Sequence, residues 1–262
     1  IAFLSQSGAL GDAIMDWGTS NHVGFSMFAS LGSMIDVDFA DLIDYLSDDY
    51  ATRSIMLYME RVGTAKRFMS AARGFARTKP IVVLKPGRFE GSTRAVESHT
   101  GEAIGDDRVY GAAFKRAGIV RVKEIADLFD TSRVLVSRTM PRGARLAIVT
   151  NAGGVGIIAT DTLIELEGDV AELSPESVNR LDALLPADWS GGNPVDIVGD
   201  ADLSRYTGSI QICMSDEGVD GVLVVYTPRA EVEPVELSEA LCDLSRRSKK
   251  PLIAVWMAGV VA

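Results

Sequence analysis

The chain has 262 residues, enough for two domains of about 100–150 residues that each bury a core. It is 47% apolar and 24% charged, the balance of a folded globular protein rather than of a disordered or fibrous one. Its net charge of −10 and its lack of a Lys/Arg cluster exclude nucleic acid and anionic membranes as expected partners; with no apolar run near the ~20 residues of a membrane helix and no leader pattern, a cytoplasmic protein is expected.

The first predicted strand, Ala2–Ser5, runs into the turn Ser5-Gln-Ser-Gly8 and a helix over Leu10–Ser20. Such a turn exposes free N–H groups at the positive end of a helix, so Ser7, Gly8 and Ala9 are candidate phosphate-binding residues; taken alone, the same turn is equally what packs a helix on a strand. His22 follows as a surface histidine beside the helix end. Next come a strand near Gly24–Ser30, a helix near Asp38–Asp48 and a strand over Ser54–Glu60. Glu60, at the carboxyl end of that strand, is placed to accept from an imidazole N–H, or else to stay solvated and pair with Arg61.

A helix near Ala65–Thr78 and a strand over Ile81–Lys85 lead into Gly87–Gly105, rich in small and polar residues and read as a loop. His99 lies in it, at the end of a doubly wound sheet where ligands bind. Imidazole is largely uncharged near neutral pH and therefore nucleophilic, although a capping or surface histidine fits the same position. A helix near Asp106–Ala117, a strand near Ile119–Val122 and a helix near Lys123–Ser137 complete the first half. The linker Ser137–Arg145, with Pro141 and Gly143, breaks both periodicities. In the second half, strands are expected near Arg145–Thr150, Val170–Leu173, Gly221–Tyr226 and Leu252–Trp256. Cys213 and Cys242 have no ligand spacing, so neither a disulfide nor a metal site is expected.

The two halves repeat one pattern. Ile1–Gly11 matches Leu146–Gly156, Ser54–Glu60 matches Gly221–Thr227, and Lys79–Gly87 matches Lys250–Gly259, in the same order. Asn151-Ala-Gly-Gly154 thus repeats the first turn and makes Gly153 and Gly154 candidate phosphate ligands as well. Neither turn reads G-x-G-x-x-G, so dinucleotide binding is poorly supported. The expected fold class is α/β: two flavodoxin-like parallel-sheet domains, residues 1–138 and 143–262, related by internal duplication. The apolar beginning at Ile1, the apolar ending at Ala262 and the absence of a fifth strand in the second half are read as cuts through a longer protein.

These residues together resemble the NDP-forming acyl-CoA synthetases, the acetate–CoA ligase and succinyl-CoA synthetase superfamily. The likeness spans the chain and rests on Ser5-Gln-Ser-Gly-Ala9, Leu31-Gly32, Asp36-Val-Asp38, Asp41–Leu46, Tyr58-Met-Glu60, Ser98-His-Thr-Gly101, Val109–Phe114 with Ala117-Gly118, Asn151-Ala-Gly-Gly154 and Asn193-Pro-Val-Asp196. It implies that His99 carries a phosphoryl group, that Glu60 steadies it, and that the turns at Ser7–Ala9 and Gly153–Gly154 present helix N-termini to it from two sides. It further implies CoA, phosphate and a nucleoside di- or triphosphate with Mg as substrates, and CoA-binding and ATP-grasp domains in the same parent or a partner subunit, within an oligomer. Glu102 departs from the family, where a small residue and Leu usually follow the glycine. The alternative is a non-catalytic acyl-CoA- or nucleotide-sensing module of an acetyltransferase fusion. A flavin or receiver domain would want an acidic cluster or an aromatic-flanked pocket, and neither stands out.

Overall fold

The structure is a computed structural model that describes residues 1–20, 23–100, 105–135 and 139–257, with backbone only at Glu97, His99 and Thr100. The chain divides into two compact units, Ile1–Val136 and Ser137–Ala262.

The first unit runs β1 (Ala2–Ser5), α1 (Gly8–Ser20), β2 (Met27–Ser30), α2 (Phe39–Ser47), β3 (Ile55–Tyr58), α3 (Ala65–Phe75), β4 (Ile81–Leu84), α4 (Glu90–Thr100), α5 (Asp107–Ala117), β5 (Val120–Val122) and α6 (Ile125–Leu135). Its sheet is wholly parallel in the order β2-β1-β3-β4-β5, the flavodoxin order. The central strands read as unbroken apolar runs because both faces are covered. Ala2, Leu4, Ile55, Leu57, Ile81 and Val83 pack on one face against Phe39, Ile43, Phe68, Phe75 and Phe114 of α2, α3 and α5. Their alternates Phe3, Met56, Val82 and Leu84 meet Ile14 of α1 and Leu128 and Phe129 of α6 on the other.

One stretch differs from the sequence reading. The presumed loop around His99 contains the helix α4, and His99 sits in its last turn. Glu90-Gly-Ser-Thr-Arg-Ala-Val has no apolar stripe to reveal a helix. Local polar bonds hold its start instead: Ser92 Oγ accepts from Phe89 N at 3.1 Å and donates to Phe89 O at 2.9 Å, and Thr93 Oγ1 donates to Gly87 O at 3.1 Å.

The second unit runs β6 (Arg145–Thr150), α7 (Gly153–Glu165), β7 (Asp169–Val170), α8 (Pro175–Leu184), β8 (Val195–Asp196), α9 (Leu203–Ser215), β9 (Gly221–Tyr226), α10 (Pro234–Arg247) and β10 (Leu252–Trp256). Its path β10-β9-β6-β7 repeats the first four strands of the flavodoxin order, and the two-residue β8 pairs in addition with β6. The Asn193 side chain takes the place of a strand there: Oδ1 accepts from Ile148 N, and Nδ2 donates to Leu146 O and Ala171 O, each at 2.9 Å. Among the described residues nothing corresponds to β5 and α6. Where Trp17 of α1 stacks on Phe129 of α6 at 4.0 Å, α7 leaves Ile157, Ile158 and Ile164 exposed.

The duplication reaches side-chain detail. The lysine before each matched proline caps the C-terminus of a helix: Lys79 Nζ donates to Leu46 O, Ser47 O and Asp49 O at 2.8–3.1 Å, and Lys250 Nζ donates to Asp216 O at the end of α9. Leu46 and Ser47 end α2, and Asp216 is the C-cap of α9, so each cation meets the negative end of a helix dipole. Lys79→Met should therefore destabilise the first unit by about 1.5–3 kcal/mol, the range for hydrogen bonds to a charged group. The urea midpoint measures this, and an unchanged midpoint would refute the capping role.

Candidate functional site

The site is built on the carboxyl ends of β1, β3 and β4. At the end of β1, Ser5 Oγ accepts from Ser7 N at 3.0 Å and donates to Ser7 O at 2.7 Å, which bends the chain at once into α1. Ser7 Oγ then accepts from Leu10 N at 3.3 Å. The amides of Gly8 and Ala9 have no hydrogen-bond partner among the described residues, so both are available to an anion. A Cβ on Gly8 would meet only Ser30 Oγ, at 3.8 Å, whereas one on Gly11 would sit 2.9 Å from the Phe28 ring. Helix-on-strand packing thus requires Gly11; nothing among the described residues requires Gly8.

The second unit repeats the turn. Thr150 Oγ1 accepts from Ala152 N at 3.1 Å and donates to Ala152 O at 3.3 Å, and α7 starts with no side-chain cap. A Cβ at Gly154 meets nothing within 4 Å, but one at Gly153 would lie 2.5 Å from Asp196 Oδ2. A carboxylate thus sits beside this helix start. A bulky residue at Gly153 would strike Asp196 whether or not an anion binds, so Gly154 is the cleaner probe.

Glu60 lies two residues beyond β3, half-buried, and the structure ties it to the first turn. Gln6 Oε1 accepts from Glu60 N at 2.7 Å and from Arg61 N at 3.0 Å. Arg61 Nη2 donates to Ser33 O at 2.7 Å. Tyr58 and Leu84 are register partners, so the ends of β3 and β4 lie side by side. His99 follows on the helix leaving β4, but its side chain and its pairing with Glu60 lie outside the described residues, as do His22, Gly101 and Glu102.

Sequence reasoning missed Gln6, Lys85 and Tyr110. Lys85, 1% exposed at the end of β4, donates to Pro86 O at 3.0 Å and stands 4.4 Å from the Tyr110 ring centroid. Tyr110 Oη in turn accepts from Val62 N at 3.2 Å. A lysine ending the run Ile81-Val-Val-Leu84 was the available signal: a charge closing a buried strand needs a reason. Burial pushes the Lys85 ammonium down to about 8; Asp107 and Glu60 oppose that shift and Arg121 adds to it. The unfolded chain therefore binds the extra proton between about pH 8 and 10.5, so this lysine makes stability rise with pH across that window. Lys85→Met should remove the rise; identical urea midpoints for both proteins relative to pH 7, at every pH tested, would contradict the assignment.

The first unit has a cavity of about 640 Å³ lined by Arg73, Arg77, Lys115 and Arg116, at the C-terminal ends of α3 and α5 and at the opposite edge of the sheet. Exposed cations at helix C-termini are favourable without any ligand. The carboxyl edge, with its free amides and buried titratable groups, is the better candidate for chemistry.

A doubly wound sheet, a Ser-Gln-Ser-Gly turn with free amides, a carboxylate braced beside it and a second copy of the turn make these strand ends candidate sites for an anionic group. The chain belongs to the NDP-forming acyl-CoA synthetase family. Residues 1–135 match the succinyl-CoA ligase like flavodoxin domain, and residues 146–256 the Ligase-CoA domain. It is 39% identical to the alpha subunit of acetate–CoA ligase [ADP-forming] I of Pyrococcus furiosus, over 100% of this chain and 57% of that protein. It is 32% identical to 4-hydroxybutyrate–CoA ligase [ADP-forming] of Nitrosopumilus maritimus, over 98% of this chain and 37% of that one. Among solved structures it is similar to the dinucleotide-forming acetyl-coenzyme A synthetase 1 of Ca. Korarchaeum cryptofilum in complex with phosphate and ADP. There the TM-score is 0.91 at 34% identity, over 98% of this chain and 56% of that one. The chain thus spans little more than half of that subunit and of that structure. Among the described residues no helix is long and apolar enough to cross a membrane.

Proposed function

We propose that this chain is the phosphohistidine core of an acid–thiol ligase that interconverts acyl-CoA, phosphate and a nucleoside diphosphate with a carboxylate, CoA and the triphosphate. In the first step phosphate displaces CoA from the acyl group. The His99 imidazole then attacks the phosphorus of the acyl phosphate, the P–O bond to the acyl oxygen breaks, and the carboxylate leaves. In the last step an oxygen of the diphosphate attacks phosphohistidine and the P–N bond breaks, restoring imidazole. Glu60 accepts the other imidazole N–H and so selects the neutral tautomer whose attacking nitrogen carries no proton. The free amides of Gly8 and Ala9 stabilise the transferring phosphoryl group, and Gly153–Gly154 forms a second phosphate-binding turn in its own unit.

The observation that carries this reading is the free pair of amides at the start of α1, in a turn whose side chains also hold the Glu60 backbone. CoA-binding and ATP-grasp domains of the parent or a partner subunit hold CoA and the Mg-nucleotide. The test is to incubate the full-length parent with γ-labelled nucleoside triphosphate. Label that is acid-labile and base-stable, the pattern of a phosphoramidate, is expected; no protein-bound label would favour the sensing module instead.

A further inference from the structure

Glu60 stands past the last ladder bond of its strand. On that side of β3 the sheet ends at Met59 N, which donates to Leu84 O at 3.1 Å. The amides of Glu60 and Arg61 both converge on the Oε1 of Gln6, 54 and 55 residues away in sequence. Gln6 is itself well placed to hold them. It is 8% exposed, and its own amide donates to Tyr58 O at 3.2 Å, so its side chain leaves a fixed point between β1 and β3.

The second unit uses the same device. Asn151 occupies the position matched to Gln6, and its side chain donates to Thr227 O at 2.8 Å and accepts from Thr227 N at 2.9 Å. Thr227 is the residue matched to Glu60. An amide side chain from the first turn therefore braces the end of β3 in the first unit and of its match β9 in the second, and in the first unit that strand end carries a carboxylate.

We propose that Gln6 is a positioning residue that sets the Glu60 carboxylate for its work on His99. This rests on the phosphohistidine reading above. A carboxylate paired with imidazole favours the imidazolium and raises its pKa, whereas attack on phosphorus needs the neutral ring. Letting Glu60 drift must therefore lower the histidine pKa and move the acid limb of phosphorylation to lower pH, while slowing the reaction where the ring is already neutral. A role confined to folding would lower the melting temperature and leave the limb where it was.

The experiment measures phosphoryl-enzyme formation in the full-length parent from about pH 5 to 9, across the histidine range. Gln6→Leu should slow it roughly tenfold or more, the usual cost of losing a supporting hydrogen bond behind a working residue, and should shift the acid limb downward. Glu60→Gln should do the same. The double variant should be no slower than Glu60→Gln alone, because both changes remove one function. Should Gln6→Leu melt below the assay temperature, Gln6→Asn, whose shorter arm withdraws the oxygen, takes its place. Additive slowing in the double variant, an unmoved limb, or an unslowed Gln6 variant beside a slowed Glu60→Gln would overturn the proposal alone. A wild-type parent that takes no acid-labile label would instead remove the phosphohistidine reading, and this proposal with it.

Discussion

Replacing His99 by alanine is expected to abolish the phosphoryl label that the full-length parent takes from nucleoside triphosphate, with the fold retained. The nucleophile forms the covalent bond, so its loss leaves nothing to label, and the expected effect is complete rather than graded. The fold should survive because His99 lies in the last turn of α4, and alanine has the highest helix propensity of any residue. Circular dichroism and the melting curve check the fold, and acid lability against base stability identifies the bond. Label persisting in the His99→Ala protein would assign the phosphoryl group to another residue, and a collapsed melting curve would show that His99 holds structure.

The second large effect is expected at the start of α1. Gly8→Val places a branched side chain over two amides that have no partner among the described residues, in a turn where those residues leave room: the nearest atom to a Cβ is Ser30 Oγ at 3.8 Å. The stability cost should therefore be small, since valine has a helix propensity no worse than that of the glycine it replaces. The loss in phosphoryl transfer should be on the order of 100-fold or more, the effect of removing one preorganised donor from developing negative charge. Gly154→Val makes the same test in the second unit. Gly153→Val does not, because its side chain would collide with the Asp196 carboxylate whatever the function of the turn. Transfer rates unchanged in both Gly8→Val and Gly154→Val would mean that these turns only pack helices on strands.

Much of this site was legible before the fold was known. The turns at Ser5–Gly8 and Asn151–Gly154 stand out because each joins an apolar run to a helix and because they occur twice. Glu60 and His99 stand out as chemistry-bearing residues following apolar strands. Gln6 could not be found in this way. It lies inside a motif read for its glycine and serines, and its importance comes from two hydrogen bonds to residues more than 50 positions distant. Lys85 was hidden differently, as the charged end of a strand whose burial depends on Tyr110 of α5 lying over it. The helix α4 escaped because its side chains contribute little to either core, and periodicity reveals only helices that bury a stripe.

The sequence by itself determined the alternation of strands and helices, the parallel sheet and the duplication. Those depend on which residues are apolar and at what spacing, and burial follows from that pattern wherever both faces of a sheet are covered. Only the tertiary structure decided which residues serve the strand ends. The two-residue β8 exists because Asn193 reaches β6 and the chain beside it, the caps on α2 and α9 exist because Lys79 and Lys250 arrive from other strands, and Glu60 is held because β1 lies next to β3. Each is a directional bond between segments far apart in the chain. Local pattern carries no record of such a partner, and chain folding alone brings the donor within about 3 Å of its acceptor.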